Sequence, residues 1–302
     1  MKKYELTTET LQFAGRTLHR IKAVKDFGYI QAGEFGGWIE NEKNLSQDDN
    51  AWIYGNAMVF GNAEILGNAE ILGNAKILGN AKVYCYAKVY GNANIDGYAE
   101  VYGNAKILGN ANVFGNAEIL GNAEILGNAN VFGNAEILGN AKILGNANVF
   151  ANAKVYDDAI VYGNAKVYGN AKILGNAIVY GNAVVHGNAK ICDYAKVYDK
   201  ANIYDNAEVY GNVRICGKAT IKGDAKVHDT VDYIVFKNFW SSGRYFTWTR
   251  SNNKWSVGCF YGTGEELIKK AYADSDTSGR EYERVVRYVE SILADEKKEK
   301  SN

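Results

Sequence analysis

The side chains of this chain best equipped for acid–base, nucleophilic or metal chemistry are few and scattered. Three histidines occur, His19, His186 and His228. A neutral imidazole is the usual proton acceptor near neutral pH, which makes His186 the first candidate general base. A bound metal needs about three converging ligands, and no two of these histidines stand at ligand spacing. The four cysteines, Cys85, Cys192, Cys216 and Cys259, form no C-x-x-C pair and have no histidine at ligand spacing. That is neither a zinc signature nor a small disulfide framework, so they read as the reduced thiols of a cytosolic protein. From these residues no metal and no cofactor are expected.

The elements that must hold any such residue are shaped by composition. Lys and Arg number 34, Asp and Glu also 34, and this balance gives no general attraction to nucleic acid or to an anionic membrane. No run approaches the roughly eighteen apolar residues of a membrane span. Met1-Lys2-Lys3-Tyr4-Glu5 is not followed by the apolar stretch of a signal peptide, so the expected location is the cytoplasm. Glycine is frequent, at 33, and proline is absent. A chain without proline keeps every backbone N–H available to a hydrogen-bonded ladder.

An internal repeat dominates the rest. From Ala51 to Ala225 every sixth residue is Ala, with Val213 the one exception, and two residues after each stands Ile or Val, from Ile53 to Val227. The unit reads Gly-Asn-Ala-x-(Ile/Val)-x. Ala-x-Ile is a short strand whose first and third side chains share the inner face. Gly-Asn turns the corner, because both residues tolerate the left-handed backbone region. Asn-Ala-Asn-Val-Phe recurs at Asn110, Asn128 and Asn146, eighteen residues apart, so three units make one coil. The expected fold is an all-β solenoid, a three-sided parallel β-helix of ten coils, about 48 Å long at ~4.8 Å per coil. His186 and His228 then lie on different sides.

The flanks read as caps. Thr10–Phe13 and Thr17–Ile21, joined by Ala14-Gly15-Arg16, form a β-hairpin within an N-terminal cap of residues 1–50. The β-helix follows over 51–229, and residues 230–302 make a small α+β domain. That domain has strand-like runs near Tyr233–Phe236, Tyr245–Arg250 and Trp255–Phe260. Two helices follow, opened by Thr263-x-x-Glu266 and Ser278-x-x-Glu281, and end in a frayed charged tail from Asp295 to Lys300.

The six-residue unit resembles the hexapeptide repeat of left-handed parallel β-helices, and that resemblance alone implies the handedness. The order Arg20-Ile21-Lys22-Ala23-Val24-Lys25-Asp26-Phe27, Gly36-Gly37-Trp38-Ile39-Glu40, Asn44-Leu45-Ser46 and a Gly-Asn-Ala array is similar to a family of uncharacterised bacterial and phage or prophage hexapeptide-repeat proteins. Gly258-Cys259-Phe260-Tyr261-Gly262-Thr263 before an amphipathic helix resembles the tail domain many of them carry. The family is labelled transferase-like by its fold, and the fold is shared with acyltransferases that work as trimers. The resemblance therefore implies a second reading, a trimeric acyltransferase-like enzyme using acyl-CoA with His186 at its groove. For a phage-encoded member the location would be the host cytosol.

The most unusual pattern is the residue after each core Ile or Val, which is Leu, Phe or Tyr in 24 of 30 units. Phe60, Phe114, Phe132 and Phe150 fall on one side, and Tyr168 continues the row. An apolar stripe of this size reads as an interaction surface, against the plainer reading that the rings stack on one another along the coils. A second row carries Glu100, Glu118 and Glu136, then Lys154, Lys172 and Lys190, and reads as a solvated face. Ice binding would call for rows of Thr, and within the array only Thr220 occurs. The reading carried forward is a non-catalytic structural or interaction scaffold. Its partner is a protein or another copy of itself, a homotrimer included, with no nucleic acid and no membrane.

Overall fold

Each unit of the array contributes a strand of only two residues, from Trp52–Ile53 at the start to Lys226–Val227 at the end. So short a strand is stable only because it pairs on both sides with its equivalents one coil away. The register advances eighteen residues per coil, as in Asn112↔Asn130 and Val113↔Val131. This computed structural model describes residues 2–299, and in it the array winds into a three-sided parallel β-helix. The first and third sides are ten-stranded sheets, beginning at Trp52–Ile53 and Glu64–Ile65. The second begins at Met58–Val59 and is extended at its N-terminal edge to thirteen strands.

The interior is built from two residue types. The Ala at the head of each unit and the Ile or Val two places later are at most 1% exposed along the whole array. Ala is small enough to let β-branched side chains from the three sides meet at the axis, close-packed in one continuous core.

The coil count exceeds the sequence expectation by one irregular turn. Phe35–Ile39 pairs in parallel with Met58–Val59, and Leu45 bridges to Ile65. These partners are twenty residues apart rather than eighteen, so two extra residues mask the coil from a six-residue count. Gly37 stands where the repeat has Ala, because a Cβ there would meet the Ala57 carbonyl at 2.5 Å. The hairpin of Tyr4–Phe13 and Arg16–Ala23 extends this edge antiparallel, turning at Ala14 and Gly15 with φ of 50° and 74°.

Both ends of a solenoid leave backbone groups without a next coil, and here the flanks supply the partners. At the first coil the buried Lys3 ammonium donates to the carbonyls of Asp48 and Ala51, at 3.1 and 3.0 Å. The Asn44 side-chain amide donates to the Ala63 carbonyl at 2.8 Å. At the last coil the Thr220 and Lys226 N–H groups donate to Thr247 Oγ1 and Ser251 Oγ. Tyr233 and Tyr261 hydroxyls donate to the Arg214 and Lys222 carbonyls.

The C-terminal domain is a four-stranded antiparallel sheet, Tyr233–Lys237, Tyr245–Thr249, Lys254–Val257 and Phe260–Gly262, covered by helices α1 (Gly264–Asp274) and α2 (Asp276–Glu299). The third aromatic run is thus two strands, split where Gly258 takes a φ of 57°. Thr263 and Glu266 form the expected capping box. The second box does not form. Ser278 lies inside α2, its N–H donates to Ser275 Oγ, and Glu281 pairs with Arg284. The charged tail is helical through Glu299, and Lys300 lies outside the described residues.

The turns give a testable contrast. Gly121 has φ of 76°, and a Cβ there would sit 2.8 Å from the Gly139 carbonyl oxygen of the next coil. Gly217, at φ 67° in the last coil, has nothing within 4 Å of its Cβ position. Gly217→Ala should cost only the left-handed strain, about 1–2 kcal/mol. Gly121→Ala should cost more, because the adjacent turn must also shift. Chemical denaturation of the two variants checks this, and equal losses would contradict it.

Candidate interaction face

On the second side, the residues after each core Ile or Val stand in one column. Strand alternation turns them off the core, and the eighteen-residue register places each directly over the last. Phe132, Phe150, Tyr168, His186 and Tyr204 stack face to face with ring centroids 4.7–4.8 Å apart and planes within 8°. That spacing is the coil repeat itself. The rings cover one another and turn their edges to solvent, each residue half-buried. Phe114, also half-buried, is one coil before Phe132 in the same row.

A second ladder runs beside the rings. Asn112 donates to Asn130 Oδ1 at 3.0 Å, and Asn130 to Asn148 Oδ1 at 3.2 Å. The face from Phe114 to Tyr204 therefore pairs ring edges with side-chain amides as far as Phe150, beyond which Lys166 and Val184 take the amide places. Its ends are closed by the flanks. Phe60 is 5% exposed, with Phe13 of the hairpin against it at 5.7 Å and the Arg16 guanidinium above it. At the other end the Lys222 ammonium lies between the rings of Tyr204 and Tyr261, at 5.4 and 5.0 Å. Phe60 is thus separated from Phe114, Phe132, Phe150 and Tyr168 by this cover and by Leu78 and Asp96.

His186 is a member of this column. Tyr168 and Tyr204 occupy its two faces, so only the edge of the imidazole is available. Burial lowers its pKa below the ordinary value, and Asp205 and Asn202 offset the effect only in part. The other histidines are elsewhere. His19 Nδ1 faces the Thr7 carbonyl in the hairpin, and His228 tilts against Tyr210 on the third side. Among the described residues no three His, Cys, Asp or Glu side chains are grouped to hold a metal ion, and all four cysteines are free.

The charged rows form local pairs at a few positions. On the third side Lys154 reaches Glu136 at 2.6 Å. Glu100 accepts from the Tyr84 hydroxyl at 3.2 Å. On the first side Glu124 lies between Lys106 and Lys142, at 3.4 and 3.2 Å. Burial alone would raise the Glu124 carboxyl, but hydrogen bonds from Lys142 and Lys106 hold it below the usual carboxylate range.

The His186 column makes a pH-dependent prediction. The folded chain holds its imidazole below the unfolded value of about 6.5, so under acid conditions the unfolded chain binds more protons. This contribution is fully present above about pH 6.5 and is lost as pH falls through the folded pKa. An NMR titration should place His186 below 6.5, and His186→Tyr should keep the stack while removing its share of the acid sensitivity. An imidazole titrating at or above 6.5 would contradict the burial described.

A family model described as YdcK Beta solenoid repeat matches residues 51–67 and 171–187. The chain is also similar to the Escherichia coli (strain K12) protein named "Uncharacterized acetyltransferase YdcK", with 39% identity over 62 residues. That match covers 18% of this chain and 19% of the relative, so the chain spans about a fifth of that protein. With the coils and the terminal sheet and helices in place, both matches fit a hexapeptide-repeat β-helix protein with a small C-terminal domain.

Proposed function

We propose that this protein is a non-catalytic scaffold whose β-helix serves as a rigid spacer and displays its second side to a protein partner or another copy of the chain. The observation that carries this reading is the column from Phe132 to Tyr204. A row of ring edges, flanked at Phe132 and Phe150 by an amide ladder, offers apolar contact and hydrogen bonding at one fixed repeat. Such a flat face suits a partner with a matching extended edge. The single base in the row is held between two rings, which suits a structural role better than proton transfer. The resemblance to phage and prophage proteins fits a chain acting on a host protein in the cytosol.

A second reading is favoured by the name of the Escherichia coli relative. Under it, copies of the chain assemble as trimers and transfer an acetyl group from acetyl-CoA at a groove containing His186.

Replacing Phe114, Phe132 and Phe150 with Ser should abolish self-association or partner binding measured by analytical ultracentrifugation and cross-linking, with the β-helix still folded by circular dichroism. An unchanged association profile would count against this face. Acetyl transfer by the native chain that is lost in His186→Ala would favour the enzyme reading instead.

A further inference from the structure

One corner of the β-helix carries an unbroken ladder of Asn side chains from Asn74 to Asn182, each amide donating to the next Oδ1 at 3.0–3.4 Å. In the last two coils Lys200 and Lys218 take these places. The exchange removes a hydrogen-bonded stack and sets like charges one coil apart, which is unfavourable in itself. Lys200 and Lys218 line a cleft of about 330 Å³ where the β-helix meets the C-terminal sheet, together with Thr220, Arg244, Tyr245 and Gly258. Among the described residues no carboxylate pairs with Lys200, Lys218 or Arg244. Asp199, next to Lys200 in the chain, accepts the Gly217 N–H at 3.0 Å. The neutral total charge thus conceals a local excess of cations.

Beside this cleft stands an apolar tip. The ammonium groups of Lys218 and Lys237 lie 4.9 and 5.8 Å from the Tyr245 ring centroid, and Lys237 also lies 4.5 Å from the Phe239 ring. Phe239 and Trp240 are 70% and 81% exposed. Their loop is held by the buried Asn238, whose Oδ1 accepts the N–H groups of Trp240 and Ser241. Large exposed aromatics next to unpaired cations match the chemistry of a bilayer surface. Trp settles at the headgroup level, and Lys and Arg are drawn to anionic lipid.

We propose that this end of the molecule docks on an anionic phospholipid surface, with a headgroup phosphate between Lys200, Lys218 and Arg244 and with Phe239 and Trp240 entering the interface. This docking face is separate from the second-side column.

Co-sedimentation with vesicles tests it. The full chain should bind phosphatidylglycerol/phosphatidylcholine vesicles and not phosphatidylcholine alone, with binding falling as salt rises. Lys218→Ala and Arg244→Ala should each weaken partitioning roughly fivefold. Because such variants can lose fold, the native chain provides a second readout. Its tryptophan emission should shift to the blue on anionic vesicles, and the shift should be lost in Trp240→Phe. Equal binding to both vesicle types, or to neither, would overturn the proposal. Pyrophosphate binding to the cleft without vesicle binding would assign it to a soluble phosphate ligand and overturn the lipid source.

Discussion

Everything in this molecule depends on the backbone hydrogen bond from one coil to the next. The N–H of Glu118 donates to the Ala135 carbonyl at 2.9 Å, and Glu136 repeats the contact with Ala153. A two-residue strand has no stability of its own. It persists because its neighbours one coil above and below fix it at the same register. That register requires each coil to use eighteen residues, and so each side chain of a unit is forced into a column of its equivalents.

Columns decide what the surface can offer. A side chain repeated every eighteen residues meets copies of itself at about 4.8 Å. Amides gain from this, because each is both donor and acceptor, and Asn accordingly forms long ladders. Aromatic rings gain by covering one another's faces. Like charges lose, and Glu–Lys pairs form at some of the places where the sign changes, as at Glu136 and Lys154. A histidine placed in such a column inherits the column's packing. Converging a base, a nucleophile and an oxyanion donor on one point would demand departures from the register, and the face from Phe114 to Tyr204 follows it throughout. This regularity is the physical ground for reading the β-helix as a spacer and a surface.

Most of the architecture was legible because Ala and Ile/Val repeat at six and whole motifs repeat at eighteen. The irregular first turn was not. Gly37 replaces Ala there, and the twenty-residue offset from Ile39 to Val59 breaks the count. The opening of α2 was misread because Ser278 and Glu281 have capping spacing, yet the chain reaches helical geometry earlier, with Ser275 accepting from the first turn. For the face, the sequence identified the row and left open whether its rings stand free or stack. Their mutual burial depends on rotamers that residue types do not dictate. Phe60 looked equivalent to Phe114 by spacing alone, because nothing in the repeat records that Phe13 and Arg16 fold over it. The cation cleft left one visible trace, two lysines breaking an Asn column. Its meaning required Arg244 and Tyr245, which come from a separate domain.

The most direct test of the register is to delete parts of the array. Removing residues 123–140 takes out one whole coil and leaves every column aligned. Removing 123–125 takes out half a unit and leaves one coil three residues short of the eighteen its neighbours use. The 123–140 variant should retain a single cooperative thermal transition, and X-ray scattering should show a particle shorter by about 4.8 Å. The 123–125 variant should unfold at a distinctly lower temperature, because the backbone bonds between coils are broken at that level. Equal stability of the two variants would contradict the account, because the eighteen-residue register would then not be what holds the columns and the faces built from them.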